Sequence, residues 1–165
     1  MALDQLNLKV LAAALLLPPV ARHSVVIVAA GGRDLVWPQE RIAEDLLQCS
    51  GGRPVHLLLH GGACGADRAI GRAAQQHGWR VQSLAADWRR YGRAAGPTRN
   101  RLLLEQALLE AEAHTSPSTS ASVLVIAFPG GVGTASLVSQ ARGWSSRSPV
   151  PLVVMEVLPP PSPLL

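Results

Sequence analysis

Aromatic rings are scarce in this 165-residue chain: one Phe, one Tyr and four Trp, 4% of the residues. Its core must therefore be built from aliphatic side chains. Charge is sparse too, 16% against about 25% in average proteins. With 48% hydrophobic residues, that balance excludes a disordered chain and reads as one globular unit. Cysteine is nearly missing. Cys49 and Cys64 alone build neither a disulfide framework nor a metal set, so no metal and no cofactor are expected, and a reducing, cytoplasmic setting is the default. Lysine is limited to Lys9, leaving arginine to supply the rest of the 15 basic residues. The net charge of +4 and pI near 10.0 suit anionic partners such as phosphates or nucleic acid. No long apolar run exists. The longest, Val10 to Val20, is too short to span a bilayer, so no membrane partner is expected. Asp4 offsets Lys9 and no clear small-x-small site follows, a poor match to a secretory signal. Residues 1–22 read as an apolar extension, either a docked helix or a loosely held segment. Residues 159–165 read as a proline-rich tail that frays.

Between them, residues 23–158 alternate short apolar runs with helical patterns. "SVVIVA" (24–29), "VHLLLH" (55–60), "WRVQSLA" (79–85), "SVLVIAF" (122–128) and a run within "PVPLVVMEV" (149–157) read as strands. Residues 37–49, 66–78, 97–113 and 134–144 read as helices. Pro38 and Pro97 suit first helical positions, and Gly78 suits a helix end. Residues 86–96 read as an irregular loop and 114–121 as a polar linker. Strands separated by helices predict an α/β, Rossmann-like, doubly wound parallel sheet of about five strands in a single domain. The expected strand order is 3-2-1-4-5.

Glycines gather after three of these strands: "GGRD" (31–34), "GGACGAD" (61–67) and "PGGVGT" (129–134). In an open parallel sheet all three loops fall at the carboxyl edge, and the switch point lies between strands one and four. Glycine lets backbone N–H groups approach an anion, and the helix behind "PGGVGT" adds unsatisfied N–H groups and a positive dipole end. Pro129, Gly130, Gly131, Gly133 and Thr134 thus form a candidate phosphate cradle. The plainer alternative is a tight strand-to-helix turn. Neither the dinucleotide fingerprint nor the P-loop is present, and the P-loop lysine is missing.

Taken together, "VVIVAAGGRDLVW", "HGGACGADRAIGRAAQQHGW", "ADWRRYGRAAGPTRNRLLLE" and "VIAFPGGVGTASLV" resemble the YspA-type, cpYpsA-related branch of the SLOG superfamily, over about residues 25–157. The resemblance implies a Rossmann-like fold and a site for nucleotides or nucleotide-derived molecules, as in proposed sensors. It is also similar to the Lonely Guy phosphoribohydrolases, which cleave the N-glycosidic bond of nucleoside monophosphates. Their pattern resembles "PGGxGTxxE" with an arginine on an earlier helix, and Arg99 matches that arginine. The glutamate position here is Leu137, and the position before it, often acidic in the nearer branch, is Ser136. Catalytic residues are therefore unassigned. The resemblance also implies a homodimer.

The remaining candidates carry paired readings. Gly31, Gly32, Gly61, Gly62 and Gly65 would line the crevice. Arg33 would meet a phosphate or pair with Asp34 in an exposed loop. Asp67 would cap its helix or recognise a ribose. Arg99 would clamp an anion or make a surface ion pair, and Asn100 would contact the ligand or bond locally. His60 and Cys64 read mainly as structural, with acid–base and nucleophilic roles as the sharper alternatives. Trp88 and Tyr91 would close the loop over the core or stack on a base. Arg89, Arg90 and Arg93 form a basic patch. The expectation is a nucleotide-binding sensor or carrier. The alternatives are a nucleoside-monophosphate hydrolase and a nucleic-acid-binding module.

Overall fold

The computed structural model describes residues 22–159, so the readings made of the N-terminal extension and of the tail beyond 159 lie outside the described residues. Five strands, β1 (Arg22–Ala30), β2 (Val55–His60), β3 (Val81–Ser83), β4 (Thr119–Ala127) and β5 (Leu152–Glu156), form one sheet in the order β3-β2-β1-β4-β5. Every pairing is parallel. This is the expected α/β Rossmann-like order. The helices are α1 (Gln39–Ser50), α2 (Ala66–Gln76), α3 (Trp88–Tyr91), α4 (Ala95–Ala113) and α5 (Val132–Ser145).

Alternation along β1 explains the two layers. Val25, Ile27 and Ala29 pack with α1 and α2 through Ile42, Leu46, Ile70 and Ala73. Val26 and Val28 pack on the opposite face with Leu103, Leu104 and Ala107 of α4 and Leu137 and Ala141 of α5. A central strand buried on both faces reads as a continuous aliphatic run, and Val25 through Ala29 are all 0% exposed.

Several boundaries differ from the sequence reading. β1 and β4 begin earlier, at Arg22 and Thr119, which pair in register. The polar side chains there bond each other: His23 Nδ1 to Ser120 Oγ at 2.8 Å and His23 Nε2 to Ser122 Oγ at 3.0 Å. Pairing with a neighbour, not hydropathy, makes these residues strand. β3 is only three residues long. α1 begins at Gln39, with Pro38 extended before it (φ −54°, ψ 139°). The expected loop at 86–96 instead holds α3, capped by Asp87 Oδ1 accepting from Arg90 N–H at 3.0 Å, then a 3-10 turn at Gly92–Ala94 that runs into α4. Pro97 is consequently the third residue of α4, where its missing N–H still has no intrahelical partner to lose. Arg99 opens the second turn.

No helix among the described residues is long and apolar enough to cross a membrane.

Candidate functional site

The sheet register brings the three glycine loops together. Ala30 pairs with Ala127, and Ala29 pairs with His60, so β1, β2 and β4 end almost level and their loops leave the same edge. Between them lies a crevice of about 1060 Å³, at the upper end of the usual 300–1,000 Å³ for small-molecule sites. The β1 loop is held between the other two. Gly32 N–H donates to Pro129 O at 2.9 Å, and Gly32 O accepts from Ala66 N–H at 3.1 Å.

Most glycines in these loops have an internal reason. A Cβ on Gly31 would sit 2.6 Å from Ala66 Cβ, and one on Gly130 would sit 2.8 Å from Gly32 N and against the Thr134 hydroxyl. A Cβ on Gly61 would collide with the Arg99 guanidinium. Gly65 adopts φ +78°, and its Cβ would overlap the Arg33 carbonyl. Gly131 and Gly133 are different. Neither has a positive φ, and nothing lies within 4 Å of a Cβ built on either. No neighbour within the described chain requires glycine at these two crevice positions.

Gly131 is the N-cap of α5 and offers no side chain to it. The first helical bond is Ala135 N–H to Gly131 O, 3.0 Å. The N–H groups of Val132, Gly133 and Thr134 therefore open the helix ahead of its ladder, with the positive dipole end behind them. All three residues line the crevice.

The charged floor is made by Arg99 and Asp67. Arg99 Nη1 donates to Gly61 O at 2.9 Å, and Nε donates to Asn100 Oδ1 at 3.0 Å. The other guanidinium donors remain for the crevice that Arg99 lines. Asp67 is 3% exposed. Its Oδ2 accepts from Ala63 N–H at 3.1 Å. Burial nevertheless raises the Asp67 carboxyl above the ordinary aspartate value, against the Ala63 N–H and Arg99. Burial likewise lowers Arg99, with Asp67 opposing and Arg33 adding to the fall. His60 is lowered, first by burial. Its Nδ1 accepts from Gly62 N–H at 3.0 Å, and its Nε2 edge meets Gly71 of α2. That packing makes His60 a loop anchor.

Of the residues singled out from sequence, Gly31, Gly32, Arg33, Gly61, Gly62, Asp67, Arg99, Pro129, Gly130, Gly131, Gly133 and Thr134 all line the crevice. Gly65 and Asn100 do not. Gly65 makes the turn against Arg33. Asn100 is 1% exposed, and its Nδ2 donates to Gly133 O at 3.0 Å, tying α4 to the α5 loop. Cys64 lines the crevice and is exposed. Leu137 is 0% exposed in the core, whereas Ser136 lines the crevice. Trp88 and Tyr91 do not close over the core. They are 53% and 39% exposed, and Trp88 lines the crevice. Arg68 was missed. It follows Asp67 in the first turn of α2, and that adjacency was the available signal. Arg33, Arg68, Arg93 and Arg99 face only Asp34 and Asp67 around this cavity, which favours an anionic occupant.

A parallel α/β sheet with a glycine-lined, cationic crevice at its switch point defines a Rossmann-like fold with a candidate ligand site. Residues 25–91, from within β1 to the end of α3, match the model of the YspA, cpYpsA-related SLOG family. The match points to the binding or processing of a nucleotide-related ligand. It spans the "GGRD" and "GGACGAD" loops and ends before Arg99 and "PGGVGT". No curated protein and no solved structure matches the chain.

Proposed function

We propose that the chain binds a nucleotide or nucleotide-derived small molecule, as a sensor or carrier, within residues 23–158. A phosphate is held by the N–H groups at the start of α5, by Thr134 and by Arg99. The observation that carries this reading is the pair Gly131 and Gly133. Gly131 is an accepted N-cap residue, but Gly133 stands inside the first turn of α5, where glycine costs up to about 1 kcal/mol relative to alanine, and no internal packing or dihedral demand accounts for it there. Close approach of a group from outside does account for it. The "GGRD" and "GGACGAD" loops line the rest of the crevice. Calorimetric titration with inorganic phosphate and with the four common nucleoside monophosphates tests the reading, comparing wild type with Gly131→Val.

A second reading, glycosidic hydrolysis of nucleoside monophosphates, is favoured by one feature: the buried Asp67 carboxylate lies in the same crevice as Arg99. The buried Leu137 counts against it, because the carboxylate expected from the Lonely Guy pattern has no counterpart there. Chromatography for free base and ribose 5-phosphate separates the readings. Multiple turnovers lost in Arg99→Ala would establish the hydrolase.

The proposal includes a cytoplasmic homodimer. Its support is an apolar groove on α4, where Leu102 and Leu109 are 40% and 65% exposed beside Leu84. Light scattering at micromolar concentration tests it, and a monomer mass would contradict it.

A further inference from the structure

Large apolar side chains stand exposed in the segments that leave the carboxyl edge of the sheet, among them Val36, Trp88, Tyr91 and Val132. Only Trp88 and Val132 of these line the crevice itself. Trp88 is the more informative. The chain has four tryptophans, and Trp37, Trp79 and Trp144 are each partly buried against one of the two cores. Trp88 packs in neither. It leaves about half its surface open in a chain that uses few rings.

Its placement is nonetheless constrained. Asp87 caps the single turn that carries it. Gly92 ends that turn at φ +51°, a left-handed value that a side-chain-bearing residue rarely adopts. The outer edge of the indole, at Cη2, comes within 3.8 Å of a Cβ built on Gly96. One edge of the ring is therefore seated on the first turn of α4, and the remainder is left to the cavity. An apolar ring held open to water beside a phosphate-type site is matched by a ligand with an aromatic face of its own.

We infer that Trp88 is the base-stacking platform of this crevice, so that the ligand is a nucleotide carrying its base and not a bare phosphorylated sugar. This rests on the phosphate reading above for the location of the other end of the ligand. A base stacked on an aromatic side chain contributes a measurable share of affinity with little sequence preference, because every base has a π face. The larger purine faces are expected to bind more tightly than pyrimidines at the same phosphate position.

The test compares adenosine monophosphate, cytidine monophosphate and ribose 5-phosphate by calorimetry, on wild type, Trp88→Ala and Trp88→Phe. Exposure of Trp88 makes both variants compatible with the fold, and circular dichroism verifies it. In wild type the nucleotides are expected to bind about 5- to 150-fold more tightly than ribose 5-phosphate, the range that base–aromatic stacking contributes. Trp88→Ala removes that advantage and leaves ribose 5-phosphate unchanged, while Trp88→Phe restores part of it. Nucleotide addition also quenches indole fluorescence in wild type, and the change is lost in Trp88→Phe. An advantage that survives Trp88→Ala, or no advantage in wild type, overturns the inference. Failure of the phosphate reading shows separately, as affinities unaffected by Gly131→Val.

Discussion

Gly131→Val separates a phosphate cradle from a tight turn. The position has φ −96° and ψ −150°, extended backbone, with open space where the new side chain would go. Two small stability terms oppose each other. Restricting the unfolded chain stabilises by about 0.4–1 kcal/mol. Losing glycine at the N-cap costs a comparable amount, since an aliphatic residue there caps worse. The net change is expected within about 1 kcal/mol, or about 2–4 °C in melting temperature for a protein of this size. Binding is expected to respond far more. An isopropyl group at Gly131 stands in front of the α5 amides and denies a phosphate at least two charge-assisted hydrogen bonds. At about 1.5–3 kcal/mol each, their loss lowers affinity by a factor on the order of 10² to 10⁴. Gly130→Ala is the contrasting variant, expected to lose stability first. Its Cβ would press on Gly32 N and Thr134, an overpacking that costs about 1–3 kcal/mol. Thermal melts and calorimetric titration with phosphate and nucleoside monophosphates check both variants. A well-folded Gly131→Val with unchanged affinity refutes the cradle.

Leu137→Glu is expected to destabilise by several kcal/mol, since it buries a carboxylate among Leu103, Leu104 and Ala141. Ser136→Glu, on the crevice wall, is expected to fold normally, and urea unfolding of the two variants distinguishes the positions. Arg99→Ala removes the bond to Gly61 O and the charge facing the ligand. It is expected to weaken nucleotide binding at least tenfold, while Arg99→Lys recovers only part, because a lysine cannot hold Gly61 and a phosphate in one planar fork. Folding keeps His60 neutral, with its proton affinity below the ordinary histidine value. Its contribution is therefore complete above about pH 6.5 and is lost as pH falls through the folded value. His60→Asn keeps an acceptor for Gly62 N–H without titrating. It is expected to flatten that part of the pH–stability curve, as read from melts between pH 7.5 and about 5.

The strand order and the meeting of three glycine loops were legible because both follow from pattern. Aliphatic runs alternate with helices, and parallel crossovers carry every strand's loop to one edge. The start of α4 was not legible. Residues 86–96 mix Trp, Tyr, Arg and Gly without a helical period, and their helix exists because Asp87 caps it and Gly92 turns it. The polar beginnings of β1 and β4 escaped for a related reason, since only the partner strand makes "RHS" and "TSA" extended. At the site, glycine count located the loops but could not sort the glycines by purpose. Gly65 and Gly131 look alike in sequence. One is there for the Arg33 carbonyl, and the other faces open space. Asn100 beside Arg99 was legible as polar and close to the site, yet its side chain turns away to Gly133 O. That direction depends on how α4 crosses α5.

The backbone of Gly32 links two parts of the crevice. Its N–H is held by the α5 loop and its carbonyl by the first amide of α2. The two peptide units that meet at the Gly32 Cα thus join the entrances of two helices that lie on opposite faces of the sheet. A ligand seated at α5 that shifts this residue is expected to be felt at α2, and amide exchange is the natural reporter. The protons on Gly32 and Ala66 should slow together when a ligand is seated, although Ala66 belongs to another loop. One residue's backbone therefore ties the loop that opens α5 to the start of α2 on the other face of the sheet.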